Sequence, residues 1–303
     1  MTHPLILPEL LENIFSFLAK DKALYPTLFV NHLWYQCGAP ILWHRVEFFN
    51  KDYHQSRRAL NMSRALTRRL INFKKVMRGK IKPLYCSKMA YLRLESLKIS
   101  DAFITAILHS CPNIRFLILD KSKGFSNIPI IEIARCCPKL LHLSLDACKA
   151  ITDRCISEIV RSCPKLEYVC LDSSRSLNIT GVSVIEIVQF CPNLIYLNLS
   201  CQYRIKDVSF CAITCSCIKL QHLDLSFNYY ITDDAVCGIV RSCPNIQYLI
   251  LHSTDITDKT IYDIAHYCSN LLVLNVGDCR SISKESIHFL SSKKPTLDII
   301  LDT

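Results

Sequence analysis

The chain of 303 residues carries 36 Lys and Arg against 26 Asp and Glu, a formal charge of +10, and half of its residues are apolar. That balance excludes intrinsic disorder, and six glycines exclude collagen-like and glycine-rich chains. No apolar run approaches the roughly 18 residues that a membrane span needs. The opening MTHPLILPELLENIF has no charged region ahead of an apolar stretch, so no secretory signal is expected. The 18 cysteines then read as reduced thiols of a cytoplasmic or nuclear protein rather than a disulfide framework.

Three short helices are expected over residues 5–48. Pro8 suits a first helical turn, and Leu10, Leu11, Ile14, Phe15 and Leu18 follow at helical spacing. Leu24, Leu28, Val30 and Trp34 form a second apolar set, and Ile41, Leu42, Trp43 and Val46 a third. So small a unit buries little surface of its own, and a partner or the next domain should cover part of it. The order LPELLENIFSFL, then Val30 and Trp34, then Leu42-Trp43, resembles an F-box over 1–48. The resemblance implies that Leu7, Pro8, Leu11, Ile14, Leu18 and Val30 dock on the Skp adaptor of a cullin-based, SCF-type ubiquitin ligase. The plainer alternative is a helical cap on the C-terminal domain.

Residues 49–85 form a basic link. Within 51–82 there are eleven Lys or Arg and one acid, Asp52, which equals the whole net charge. Met62, Leu66, Leu70, Phe73 and Met77 make the stripe of an amphipathic helix ending at Gly79. Such a helix can bind an anionic surface, or it can seal the edge of the next domain with its charges in water. Phe73 is the one aromatic residue in that helix, so no nucleic-acid partner is expected.

From residue 86 onward the chain repeats. Cys86, Cys111, Cys137, Cys163, Cys191, Cys217, Cys243 and Cys268, with Lys294 in register, are spaced 25 to 28 residues apart. The shape recurs in CPKLLHLSL, CPNLIYLNL and CPNIQYLIL at 137, 191 and 243. Alternation such as Leu143 and Leu145 is the period of a half-buried strand. Thr152 and Asp153 are expected to cap a helix whose buried stripe is Ile156, Ile159 and Val160, and Pro164 follows its end. Two extra residues fall in 172–178. One unit cannot bury both faces, so units must stack into a solenoid with strands on the concave side. The pattern resembles cysteine-containing leucine-rich repeats over 86–303, about eight units plus a terminal partial one. Its fold is an α/β solenoid, an arc of concave parallel strands and convex helices on the order of 40 Å long.

Alternation points residues 5, 7 and 9 after each anchor outward on the concave strands. The first column reads Tyr91, Phe116, His142, Tyr168, Tyr196, His222 and Tyr248, and rings give large contact area at low entropic cost. The third begins Glu95, Asp120, Asp146 and Asp172, same-sign neighbours only about 4.8 Å apart. These residues are expected to hold a protein target with a segment rich in Lys or Arg, unless the acids serve as hydrogen-bonding scaffold between repeats. No C-x-x-C pair, H-x-x-x-H, G-x-S-x-G or phosphate-loop motif occurs, so neither catalysis nor a metal or other cofactor is expected. Together the resemblances imply a non-catalytic substrate receptor that links a target to the Skp adaptor and cullin for degradation. A repeat scaffold outside any ligase, or an anionic-surface binder through 51–82, remain the alternatives.

Overall fold

The structure, a computed structural model, describes residues 11, 13–16, 32–49, 64–80, 83–172, 178–215 and 217–301. Ten strands form one sheet in chain order, every pair parallel. Helix α1 (His32–Trp43) leads into β1 (Arg45–Phe48), followed by α2 (Arg64–Arg78) and a short 3-10 turn (Leu84–Lys88). Then strand and helix alternate: β2 (Tyr91–Leu94), α3 (Asp101–Ser110), β3 (Phe116–Ile118), α4 (Ile128–Cys136), β4 (His142–Ser144), α5 (Asp153–Ser162), β5 (Tyr168–Cys170) and α6 (Gly181–Phe190). The series continues with β6 (Tyr196–Asn198), α7 (Asp207–Phe210), β7 (His222–Asp224), α8 (Asp233–Ser242), β8 (Tyr248–Ile250), α9 (Asp258–Tyr267), β9 (Val273–Asn275), α10 (Lys284–Lys293) and β10 (Asp298–Ile300). This is the α/β solenoid that the repeat pattern predicts.

The core runs the length of the solenoid between strands and helices. Leu117, Leu143, Val169, Leu197, Leu223, Leu249 and Leu274 point inward from successive strands and are buried. Ile156, Ile159 and Val160 of α5 and Val236, Ile239 and Val240 of α8 meet them from the other side. All eight repeat-phase cysteines are buried as well. Burial pushes the thiols of Cys137, Cys191, Cys217 and Cys268 up to about 12, so they stay protonated and behave as small apolar side chains.

Two features tie each repeat to the next. Among the described residues, the one ten after each anchor is left-handed, at Ser96, Lys121, Ala147, Cys201, Phe227, Ser253 and Asp278, although none is glycine. That twist turns the chain off the strand while the same N–H still reaches across, as from Ala147 to the Asp172 carbonyl at 2.7 Å. One residue further, Cys148 and Cys279 donate to the carbonyls of Leu119 and Leu251 at 3.1 Å, and Asn228 donates to Leu199 at 2.9 Å.

The second tie corrects a sequence expectation. Thr152 makes no side-chain capping bond, and Asp153 does not cap its own helix. Its carboxylate instead accepts from the N–H and hydroxyl of Thr180 in the next repeat at 2.8 and 2.7 Å. The same staple recurs from Asp101 to Ser126, Asp207 to Thr232, Asp233 to Thr257 and Asp258 to Ser283. The side chain turns outward because the neighbouring repeat presents a free N–H and a hydroxyl beside it, satisfying two donors at once. Residues 173–177, within the 172–178 stretch that holds the two extra residues, lie outside the described residues.

The N-terminal part joins the solenoid directly. The sheet begins at β1, one strand before the repeat register, so Val46 stands in a strand rather than in a third helix. In α2, Leu70, Phe73 and Met77 are buried, and Phe73 packs against Trp43, Phe48 and Phe103. These three side chains are thus covered by this chain, Arg68, Arg69, Lys75 and Arg78 face water, and Met62 and the Leu66 side chain lie outside the described residues. Among the described residues, no helix is long and apolar enough to cross a membrane.

Candidate functional site

The parallel register places the residue five after each anchor side by side on the concave face: Tyr91, Phe116, His142, Tyr168, Tyr196, His222 and Tyr248. Their rings form a continuous ladder. In the middle, His142 to Tyr168, Tyr168 to Tyr196 and Tyr196 to His222 stack nearly parallel with centroids 3.7, 3.8 and 4.2 Å apart. At the ends the separations open to 5.8 Å (Tyr91–Phe116 and Phe116–His142) and 5.5 Å (His222–Tyr248). Strands lie about 4.8 Å apart, so the central rings lean together beyond what the backbone imposes. Phe116 and Tyr248 are exposed and the others half-buried, leaving ring edges along the whole row.

The ladder is electrically quiet. Burial lowers His142 to about 4 and also lowers His222, so both imidazoles are neutral at pH 7. Burial raises the phenols of Tyr168 and Tyr196, which keep their protons. Sequence reasoning missed one member: Arg45 of β1 lies 3.6 Å above the Tyr91 ring and ends the ladder with a cation. The alternation of Arg45-Val46-Glu47-Phe48 was the signal, outside the repeat register that organised the rest.

The acidic column runs parallel to the rings and is partly balanced from within. Glu95 is buried and pairs with Arg93, whose Nε lies 2.8 Å from its carboxylate. Asp120 accepts from the Ser144 hydroxyl at 2.7 Å and the Asp146 N–H at 3.0 Å. Burial raises it to about 6 despite those bonds, with the Asp146 and Glu95 charges adding to the rise. Asp146 meets Lys121 Nζ at 3.3 Å. Asp172 is raised by burial and then by Asp146, and among the described residues its Oδ1 is buried without a hydrogen-bond partner. Asp120 is therefore scaffold and surface together, while Asp172 keeps unsatisfied acceptor capacity. Among the described residues, no group of metal-ligating side chains converges on this face.

At the N-terminus, Leu7, Pro8, Leu18 and Val30 lie outside the described residues. Leu11 is fully buried in this chain's own core, so its side chain is not part of an outward docking surface. Phe15, also buried, meets Trp34 edge-on at 5.2 Å. Ile14 is half-buried, packed against the core with part of its side chain outward.

Comparison with known proteins agrees with the architecture. A family model described as leucine-rich repeat matches residues 216–236. No curated protein sequence matches the chain. Among solved structures, the chain is similar to the yeast Rad7–Elc1 complex at 19% identity and a TM-score of 0.59, over 69% of this chain and 56% of that one. It thus spans little more than half of that neighbour. An internalin C2 from Listeria monocytogenes matches at 17% identity and a TM-score of 0.54, covering 77% of this chain and 92% of that one. A second Listeria monocytogenes internalin, InlF, matches at 22% and 0.50, over 72% and 55%. These likenesses agree on the fold, an α/β solenoid of leucine-rich-repeat type.

Proposed function

We propose that the chain is the substrate-recognition subunit of a cullin-based, SCF-type ubiquitin ligase, non-catalytic itself. The N-terminal unit docks on the Skp adaptor, and the concave face holds a target protein. The ring ladder carries the receptor half: seven neighbouring rings, stacked closely at the centre, present one continuous, largely uncharged strip beside a row of acids. Rings already ordered by their neighbours lose little entropy on binding, which favours a long contact with an extended segment. Apolar side chains of the target lie across the rings, and its Lys or Arg meet Asp146 and Asp172. The adaptor half is supported by the motif order over 7–43, and by the likeness to Rad7, a protein whose structure was determined in complex with Elc1. The mechanism is proximity, since tethering raises the local concentration of target lysines near a ubiquitin donor.

An anionic-membrane role for 51–82 fits less well, because Leu70, Phe73 and Met77 are already covered. The receptor surface is tested with a library of extended peptides against the wild type and the Tyr168→Ala/Tyr196→Ala variant. Selection of peptides rich in Lys or Arg with apolar flanks, lost in the variant and weakened by salt, supports the reading. Equal binding by both proteins removes the concave face as the receptor surface.

A further inference from the structure

On the convex side, the C-terminal halves of α3 and α4 bring together three side chains of different ligand type. His109 Nε2 lies 3.0 Å from Glu132 Oε1, and Cys136 Sγ lies 3.8 Å from the same oxygen. All three donor atoms fall within 4.8 Å of one another. Zinc bonds of roughly 2.0–2.2 Å to nitrogen and oxygen and about 2.3 Å to sulfur set tetrahedral donors roughly 3.3–3.7 Å apart. The observed separations bracket that range. We propose that His109, Glu132 and Cys136 form a binding site for a zinc-type divalent transition metal, clipping the first repeat helix to the second.

The repeat itself supplies an independent reason. Two residues before one anchor and five before the next, other junctions hold a salt bridge: Arg161 with Glu186 at 2.6 Å, and Arg241 with Asp263 at 2.6 Å. At the first junction the same positions are His109 and Glu132, so an imidazole replaces the guanidinium. Next to the anchor, where Ser110, Ser162 and Ser242 stand in other units, this unit has Cys136. The guanidinium is thus exchanged for an imidazole and a thiol, side chains that ligate metal ions, beside the carboxylate that the guanidinium otherwise serves. A carboxylate and a thiolate together cancel a dication.

The placement helps too. His109 and Cys136 lie at the C-terminal ends of their helices, where free carbonyls carry partial negative charge and favour a cation. Thiolate and imidazole select zinc or cobalt over magnesium or calcium. Arg135 approaches the other Glu132 oxygen at 3.7 Å and is largely exposed, free to swing into water. His109 is exposed, so the fourth coordination position opens to solvent.

The test is a Co²⁺ titration of the full chain, with Zn²⁺ displacement and equilibrium dialysis. The expected result is one metal per chain with a thiolate-to-cobalt charge-transfer absorption. Cys136→Ser should abolish that absorption. His109→Ala should weaken Zn²⁺ binding by more than roughly tenfold, since even outer-shell partners of metal ligands are worth that much. Cys201→Ser and Cys211→Ser, at two other partly exposed thiols, should change neither. No charge-transfer band in the wild type, or a band that persists in Cys136→Ser, overturns the site.

Discussion

Asp153, the first residue of α5, accepts hydrogen bonds from both the N–H (2.8 Å) and the hydroxyl (2.7 Å) of Thr180 in the next repeat. Nearest-neighbour contacts of this kind hold a solenoid together, because each unit touches only the units beside it.

The staple at Asp233 accepts from the Thr257 N–H and hydroxyl and from the buried Thr260 hydroxyl. Asp233→Ala should destabilise the chain by about 2 kcal/mol in urea unfolding, because three donors lose a charged acceptor. Burial pushes this carboxyl up, but the bonds from Thr260 and Thr257 outweigh it and hold it below its ordinary value. Its stabilisation is therefore complete at neutral pH and lost as pH falls through the depressed folded value. The variant should show a shallower acid limb than the wild type.

Asp120 titrates in the opposite sense. Its carboxyl is raised to about 6, so the ionised form opposes folding. The penalty is full above that value and vanishes once pH falls below the ordinary carboxylate range. Asp120→Asn keeps an oxygen for Ser144 and Asp146 and removes the charge. It should raise the Tm at pH 7.5 and flatten the stability profile between pH 7 and 4, measured by calorimetry. An unchanged profile contradicts the buried-acid account.

Ala147 sits at φ 52° in the left-handed turn. A side chain there costs roughly 1–2 kcal/mol that glycine does not. Ala147→Gly should stabilise the chain by about 1 kcal/mol, because relief of strain exceeds the added freedom of the unfolded chain. A loss of stability shows that the repeat context has already removed the strain.

At Gly181, the first residue of α6, an added Cβ would overlap the Ser209 hydroxyl and lie 2.7 Å from its Cβ. Gly181→Ala should lower stability by about 1–3 kcal/mol through overpacking. Adding Ser209→Gly should recover part of that loss, read as a double-mutant cycle.

The repeat was legible because its leucines, cysteines and proline-marked helix ends return in one phase, and counting from the anchors found the ring ladder directly. Strand β1 was hidden because residues 45–48 precede that phase, and Arg45 stacking on Tyr91 was hidden with it. The staples were illegible because Asp153 reads as a local cap, while its partner Thr180 is 27 residues away. The left-handed turns gave no signal, since Ser, Lys, Ala, Cys, Phe and Asp occupy positions where glycine would have marked them. The His109, Glu132 and Cys136 group spans two helices and matches no contiguous ligand motif. At the N-terminus, spacing placed Leu11 on a helix but did not distinguish a side that faces this core from one that faces a partner.

The proposed function stands on two surfaces that act independently, and the adaptor side admits the sharper measurement. Isothermal titration of the full chain with purified Skp adaptor should give saturable one-to-one binding. Tyr168→Ala/Tyr196→Ala should leave it unchanged, and Ile14→Asp should abolish it by placing an unpaired charge in the contact. Circular dichroism should show the repeats of both variants intact. A folded wild-type chain that does not bind the adaptor, or binding that survives both Ile14→Asp and Leu18→Asp in one chain, contradicts the ligase-receptor account.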